Sequence, residues 1–189
     1  NHWYMMGGNI PGQLGGFRES SLKALGNNRY QAEPFGAWVN NDEKNKAPYS
    51  DYELCLMGMI PLGDVAPFSL FGGDNVVAFD ETGKEVDQPF TPIREFTAGT
   101  RTIYTPGQIE NEFGKRNPSS LNSQKKFRAL VVILTPRPLT AAEWKIVDDS
   151  SRSFGLNEDD GNPNNYNFWE ATKGIGYMYT GNVHDAIVH

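Results

Sequence analysis

Cysteine is nearly absent: Cys55 is the only one in 189 residues. A single thiol excludes an internal disulfide and a cysteine-based zinc site, and its apolar neighbours point to burial. Histidine is scarce as well. His2, His184 and His189 are the only three, and no His-Glu-x-x-His spacing occurs. The helix that offers zinc two imidazoles and a general-base carboxylate is therefore not in this sequence. No apolar run approaches the length of a membrane span. Lys and Arg number 17 against 23 Asp and Glu, for a formal charge of −6. With no basic cluster interleaved with aromatics, nucleic acid is not an expected partner. The chain opens on Asn1, His2 and Trp3 rather than on a basic n-region, so no signal peptide is visible.

What is present suits one domain of ordinary size, or the C-terminal lobe of a larger one. Apolar residues make up 38% and charged residues 21%, a balance that supports a packed core rather than disorder. Twenty glycines and 12 prolines predict many turns and modest regular structure. Residues 1–48, with MGGNIPGQLGG near the start, read as a glycine-rich loop segment. Residues 49–173 read as an α+β core, and 174–189 as a tail.

Three helix starts are written as capping boxes: Ser50 with Glu53, Thr105 with Gln108, and Thr140 with Glu143. Gly58 and Pro61 end the first helix, whose Leu54 and Met57 share a face. Pro106 opens the second helix and Gly114 closes it. Val76–Phe79 and Glu85–Val86 flank a turn-rich DETG and predict a hairpin; Thr100–Tyr104 predicts a strand. FRALVVILT, residues 127–135, predicts a central strand covered on both faces, with Trp144, Val147 and Phe154 of the third helix packed toward it. Phe168–Lys173 adds a last turn of helix.

Three stretches carry a resemblance. They are HWYMMGGN at residues 2–9, YSDYELCLMGMIPLGDVAPF at 49–68, and GTRTIYTPGQIENEFGKRNPSSLNSQKKFRALVVILT at 99–135. In this order they resemble a group of bacterial, secreted, zinc-metallopeptidase-like proteins of the zincin, Met-turn kind, over roughly residues 2–173. The resemblance implies a zincin-like domain in which zinc activates water and polarises the scissile carbonyl. It implies an extracellular location and a protein or peptide substrate. The missing His-Glu-x-x-His departs from that pattern. This chain then looks like the C-terminal part of such a domain, with the metal helix on an upstream segment or another chain.

By that resemblance Met57 corresponds to the methionine beneath the metal, a polarisable floor that is not itself a ligand. The alternative is a core methionine at a helix end. His2 is a candidate third zinc ligand, or an exposed or packed terminal residue; His184 and His189 have no partner spacing. Tyr49 and Tyr52 precede the methionine, and a phenol there can stabilise an oxyanion or simply pack. Asp51 and Glu53 lie in the first helical turn, where the helix dipole favours carboxylates and capping already employs Glu53. Asp159 and Asp160, in NEDDGN, offer oxygens to calcium but lack the full calcium-loop spacing; a solvated loop is the other reading. Trp3, Tyr4, Trp38, Trp169 and Tyr177 either line a groove or pin loops to the core.

The expected fold is α+β, a small sheet with two or three short helices and extensive loops. The expected function is the C-terminal lobe of a zincin-like metallopeptidase domain, inactive alone, supplying a methionine turn and part of a substrate cleft. The alternative is a non-catalytic extracellular structural or binding module.

Overall fold

A computed structural model describes residues 7–8, 12–13, 15–32, 48–72, 76–80, 82–86, 95–162 and 165–181. The fold is α+β. The chain divides into two compact units, Asn1–Ser123 and Gln124–His189.

The first unit holds β1 (Gly7–Gly8), β2 (Phe17–Arg18), β3 (Lys23–Gly26) and β4 (Arg29–Gln31), followed by α1 (Asp51–Leu56). Then come β5 (Phe68–Gly72), β6 (Val77–Phe79), β7 (Glu85–Val86), β8 (Glu95–Thr97), β9 (Thr100–Tyr104) and α2 (Pro106–Phe113). Five strands form an antiparallel sheet in the order β3-β4-β8-β6-β7. The expected hairpin is present as β6 and β7. β5 and β9 form a separate antiparallel pair, and β1 and β2 a short parallel one. The four strands between Gly7 and Gln31 correct the all-loop reading of residues 1–48. Asn27 and Asn28, both at positive φ, make the tight turn from β3 to β4, where asparagine tolerates the left-handed region.

Two apolar cores follow from the pleat of β5. Phe68 and Phe71 are three residues apart, so a period of two sends them to opposite faces. Phe71 joins Phe17, Phe96, Ala32 and Ala78. Phe68 joins Cys55, Val65 and Ile109, with Tyr52 and Tyr104 against them. Ser69, fully buried on β5, donates from its N–H and Oγ to the Glu19 carboxylate at 2.9 and 2.6 Å, and Arg101 Nε donates to Ser69 Oγ at 3.0 Å. The buried hydroxyl is thereby satisfied.

The second unit holds β10 (Lys126–Arg128), α3 (Ala141–Phe154), α4 (Phe168–Ala171) and β11 (Tyr177–Tyr179). β10 and β11 pair in parallel over three residues each. Phe127 and Phe154 both reach the Phe168 ring, with centroids 5.7 and 6.4 Å away. β11 corrects the reading of residue 174 onward as tail.

The central strand over residues 127–135 does not form. The ladder stops where the Ala129 N–H donates to Tyr179 O at 2.9 Å. Beyond it Thr180 Oγ donates to Ser151 O of α3 at 2.6 Å, and the β10–β11 register ends at Arg128 and Tyr179. Leu130, Val132 and Leu134 are exposed at 67%, 67% and 93%, so among the described residues this apolar run has neither a ladder nor a cover. Trp144 is also exposed, and Val147 is half-buried, so α3 engages its surroundings through its C-terminal half instead.

Candidate functional site

α1 is fixed at its start by the expected capping box. The Ser50 N–H donates to Glu53 Oε2 at 2.6 Å, and Ser50 Oγ accepts from the Glu53 N–H at 3.3 Å. Glu53 is buried, and its Oε2 also accepts from the Gln13 N–H at 3.1 Å. The carboxylate thus ties the glycine-rich stretch to the helix, a structural role that accounts for it fully.

The helix ends at Met57, its C-cap, and Gly58 follows at φ +77. This positive φ is the turn that the glycine promised. Met57 is half-buried; the deeply buried methionine of the turn is Met59, 4% exposed. A Cβ on Gly58 would meet the Arg116 guanidinium at 2.6 Å, so the loop after α2 lies directly on this turn.

Between α1 with its following loop and α2 lies a cleft of about 720 Å³. Leu56, Ile60 and Leu62 form one wall; Pro106, Ile109 and Phe113 form the other, and Tyr52 and Cys55 also line it. Such a volume and an apolar lining with few polar groups suit a small ligand or one large side chain. Burial pushes the Cys55 thiol up, opposed by the charge of Arg116. Burial also raises the Tyr52 phenol, with Cys55 and Tyr104 adding to it, and its ring packs 4.9 Å from Phe68. Burial thus keeps the phenol protonated, with its ring part of the cleft wall. Tyr49, raised by burial and by the charge of Glu53, is half-buried before the cap.

Lys115, Arg116, Ser119 and Ser120 add polar groups to the cleft lining. Lys115 lies 3.8 Å from Glu110. Arg116 differs. Its Nη1 donates to Pro118 O and, at 2.5 Å, to Ser123 Oγ, both neutral acceptors. Among the described residues no carboxylate pairs with it. Sequence reasoning missed this residue. The available signal was a cation just past a glycine-ended helix, where the helix dipole favours positive charge.

His2, His184, His189, Trp3, Tyr4 and Trp38 lie outside the described residues. Trp169 and Tyr177 belong to the second unit, where Trp169 packs 3.1 Å from the place of a Cβ on Gly174. Asp159 and Asp160, joined by Glu170, bring carboxylate oxygens within 4.8 Å of one another. Each is already bonded: Asp159 accepts from the Gly161 N–H, Asp160 from the Asn162 N–H and Ser153 Oγ, and Glu170 from the Asn167 N–H. Burial, with Asp160 and Asp159 adding their charge, raises Glu170. Turn and cap hydrogen bonds hold these three carboxylates in place. The described residues contain no histidine, one buried cysteine and this all-oxygen group, so they do not compose a zinc ligand set. Among them, no helix is long and apolar enough to cross a membrane.

No protein-family model, curated protein or solved structure matches this chain.

Proposed function

We propose that this chain is the C-terminal lobe of a secreted zincin-like metallopeptidase domain, contributing a methionine turn and part of the cleft that receives a peptide substrate. The cleft beside α1 is the observation that carries the reading. Cys55 and Leu56 of α1 line it, and the same helix ends one residue later in Met57 and the Gly58 turn. One short helix thus joins a substrate-sized apolar cleft to the methionine. Zinc ligands in this proposal come from a segment or chain other than the described residues.

The 189-residue chain is expected to bind apolar peptides and, with added zinc, to leave unfolded protein uncleaved. Chelator-sensitive cleavage by this chain alone overturns its assignment as an incomplete lobe. In the parent polypeptide, zinc is expected in stoichiometric amount, and Met57→Leu is expected to lower zinc affinity. In this chain the same near-isosteric change costs below about 1.5 kcal/mol. A parent that takes up no zinc leaves the rival reading, a non-catalytic extracellular module that uses the cleft for binding alone.

A further inference from the structure

We infer that the cleft beside α1 recognises the C-terminus of a peptide: a large apolar last side chain between the two walls, and its free carboxylate on Arg116. This deepens the substrate-cleft reading proposed above and rests on it.

The chemistry of the lining selects this ligand. The walls of Leu56, Ile60, Leu62, Pro106, Ile109 and Phe113 offer no hydrogen-bonding side chain, so they suit an aliphatic or aromatic group. Leu56 and Phe113 are 49% and 72% exposed without an occupant, and covering them is favourable. The rest of the lining carries charge. Arg116 is held in place by a carbonyl and a hydroxyl, which orient the guanidinium without neutralising it. It is an exposed cation with no acidic partner among the described residues, in a chain of net charge −6. Four other arginines, Arg29, Arg101, Arg137 and Arg152, each face a carboxylate of this chain. A planar guanidinium suits a carboxylate, which it can take with two parallel hydrogen bonds.

Glu110, also at the cleft, refines the choice. Besides its ion pair with Lys115, its carboxylate keeps lone pairs for a peptide N–H, whereas a fatty acid has no donor to offer it. A peptide C-terminus therefore satisfies apolar wall, cation and acceptor together.

The test is fluorescence anisotropy on the full 189-residue chain with labelled, otherwise neutral tetrapeptides. One ends in Leu as the free acid, one in Leu as the amide, one in Gly as the free acid; laurate is the competitor. The Leu acid is expected to bind about tenfold or more tightly than either other peptide, since a hydrogen bond to a charged group is worth more than a neutral one. That advantage should shrink as salt rises. Arg116→Gln is expected to erase the acid–amide difference, and Arg116→Lys to keep part of it. Should the Arg116 variants fail to fold, the acid–amide comparison on the unaltered chain decides alone. Equal affinity for acid and amide, both above Gly, overturns carboxylate recognition while the substrate cleft stands. No binding of any peptide overturns both, and laurate binding without peptide binding overturns the inference in favour of a lipid ligand.

Discussion

The Glu53 carboxylate fills the volume that a side chain on Gly12 would need: a Cβ there would overlap it outright. Gly12 and Gly15 close a small antiparallel bridge around Gln13, whose N–H then points at Glu53. A residue assigned by sequence to a helix cap alone therefore also anchors a segment 40 positions away.

Gly12→Ala and Glu53→Gln are expected to lower stability by about 1–3 kcal/mol each, because both leave a buried polar group badly matched. Ser50→Ala, which removes only the cap, should cost about 0.5–2 kcal/mol. Urea unfolding followed by circular dichroism measures all three. A Gly12→Ala chain as stable as the parent would show that the loop does not bear on the helix.

Glu143 provides the pH dependence. The Arg137 guanidinium first, and then the Thr140 N–H and hydroxyl, hold its carboxyl at about 2. A depressed folded value means the stabilisation is complete above the ordinary carboxylate range near 4.5 and is lost as pH falls through about 2. The start of α3 is expected to loosen over that interval. Carbon-detected NMR titration of the Glu143 carboxyl should show the low midpoint, and Arg137→Ala should move it upward.

Cys55 should alkylate slowly at pH 8 in the folded chain and rapidly in denaturant, since burial disfavours its thiolate. Removing the opposing charge with Arg116→Gln should slow it further. Mass spectrometry of iodoacetamide adducts against time reads both effects. Equal rates in folded and unfolded protein would place the thiol in solvent rather than in the cleft lining.

Amides of residues 130–134 are expected to exchange within seconds, because no ladder among the described residues protects them. Exposed Leu130, Val132 and Leu134 also form an aggregation-prone apolar run. Val132→Lys should therefore raise solubility while changing stability by less than about 0.5 kcal/mol. Slow exchange across Leu130–Ile133 would restore the buried-strand expectation.

Local chemistry was what could be read in advance. The Ser50, Thr105 and Thr140 boxes each rest on a hydrogen bond between residues three apart, and each forms as expected. The Asn167 box on α4 has the same geometry with an amide as the cap, outside the Ser/Thr pattern. Residues 129–134 show the limit. Their β-branched run states a preference, but a strand exists only with a neighbour, and the β10–β11 register ends at Arg128 and Tyr179. The cleft was invisible for a related reason. Its walls come from residues 52–63 and 106–120, brought together by the packing of Phe68, Cys55 and Ile109 rather than by any motif.

Gly58 makes an instructive position for anyone mapping this protein by mutation. It has no side chain to offer a ligand, yet a methyl group there would collide with the Arg116 guanidinium and Ser123 Oγ, and its backbone conformation disfavours any L-residue. A systematic alanine scan should therefore score it as a hot spot in two assays at once, folding and peptide capture. Read naively, that score would assign a contact to an atom that does not exist. Its true content is a vacancy that the neighbouring cation requires.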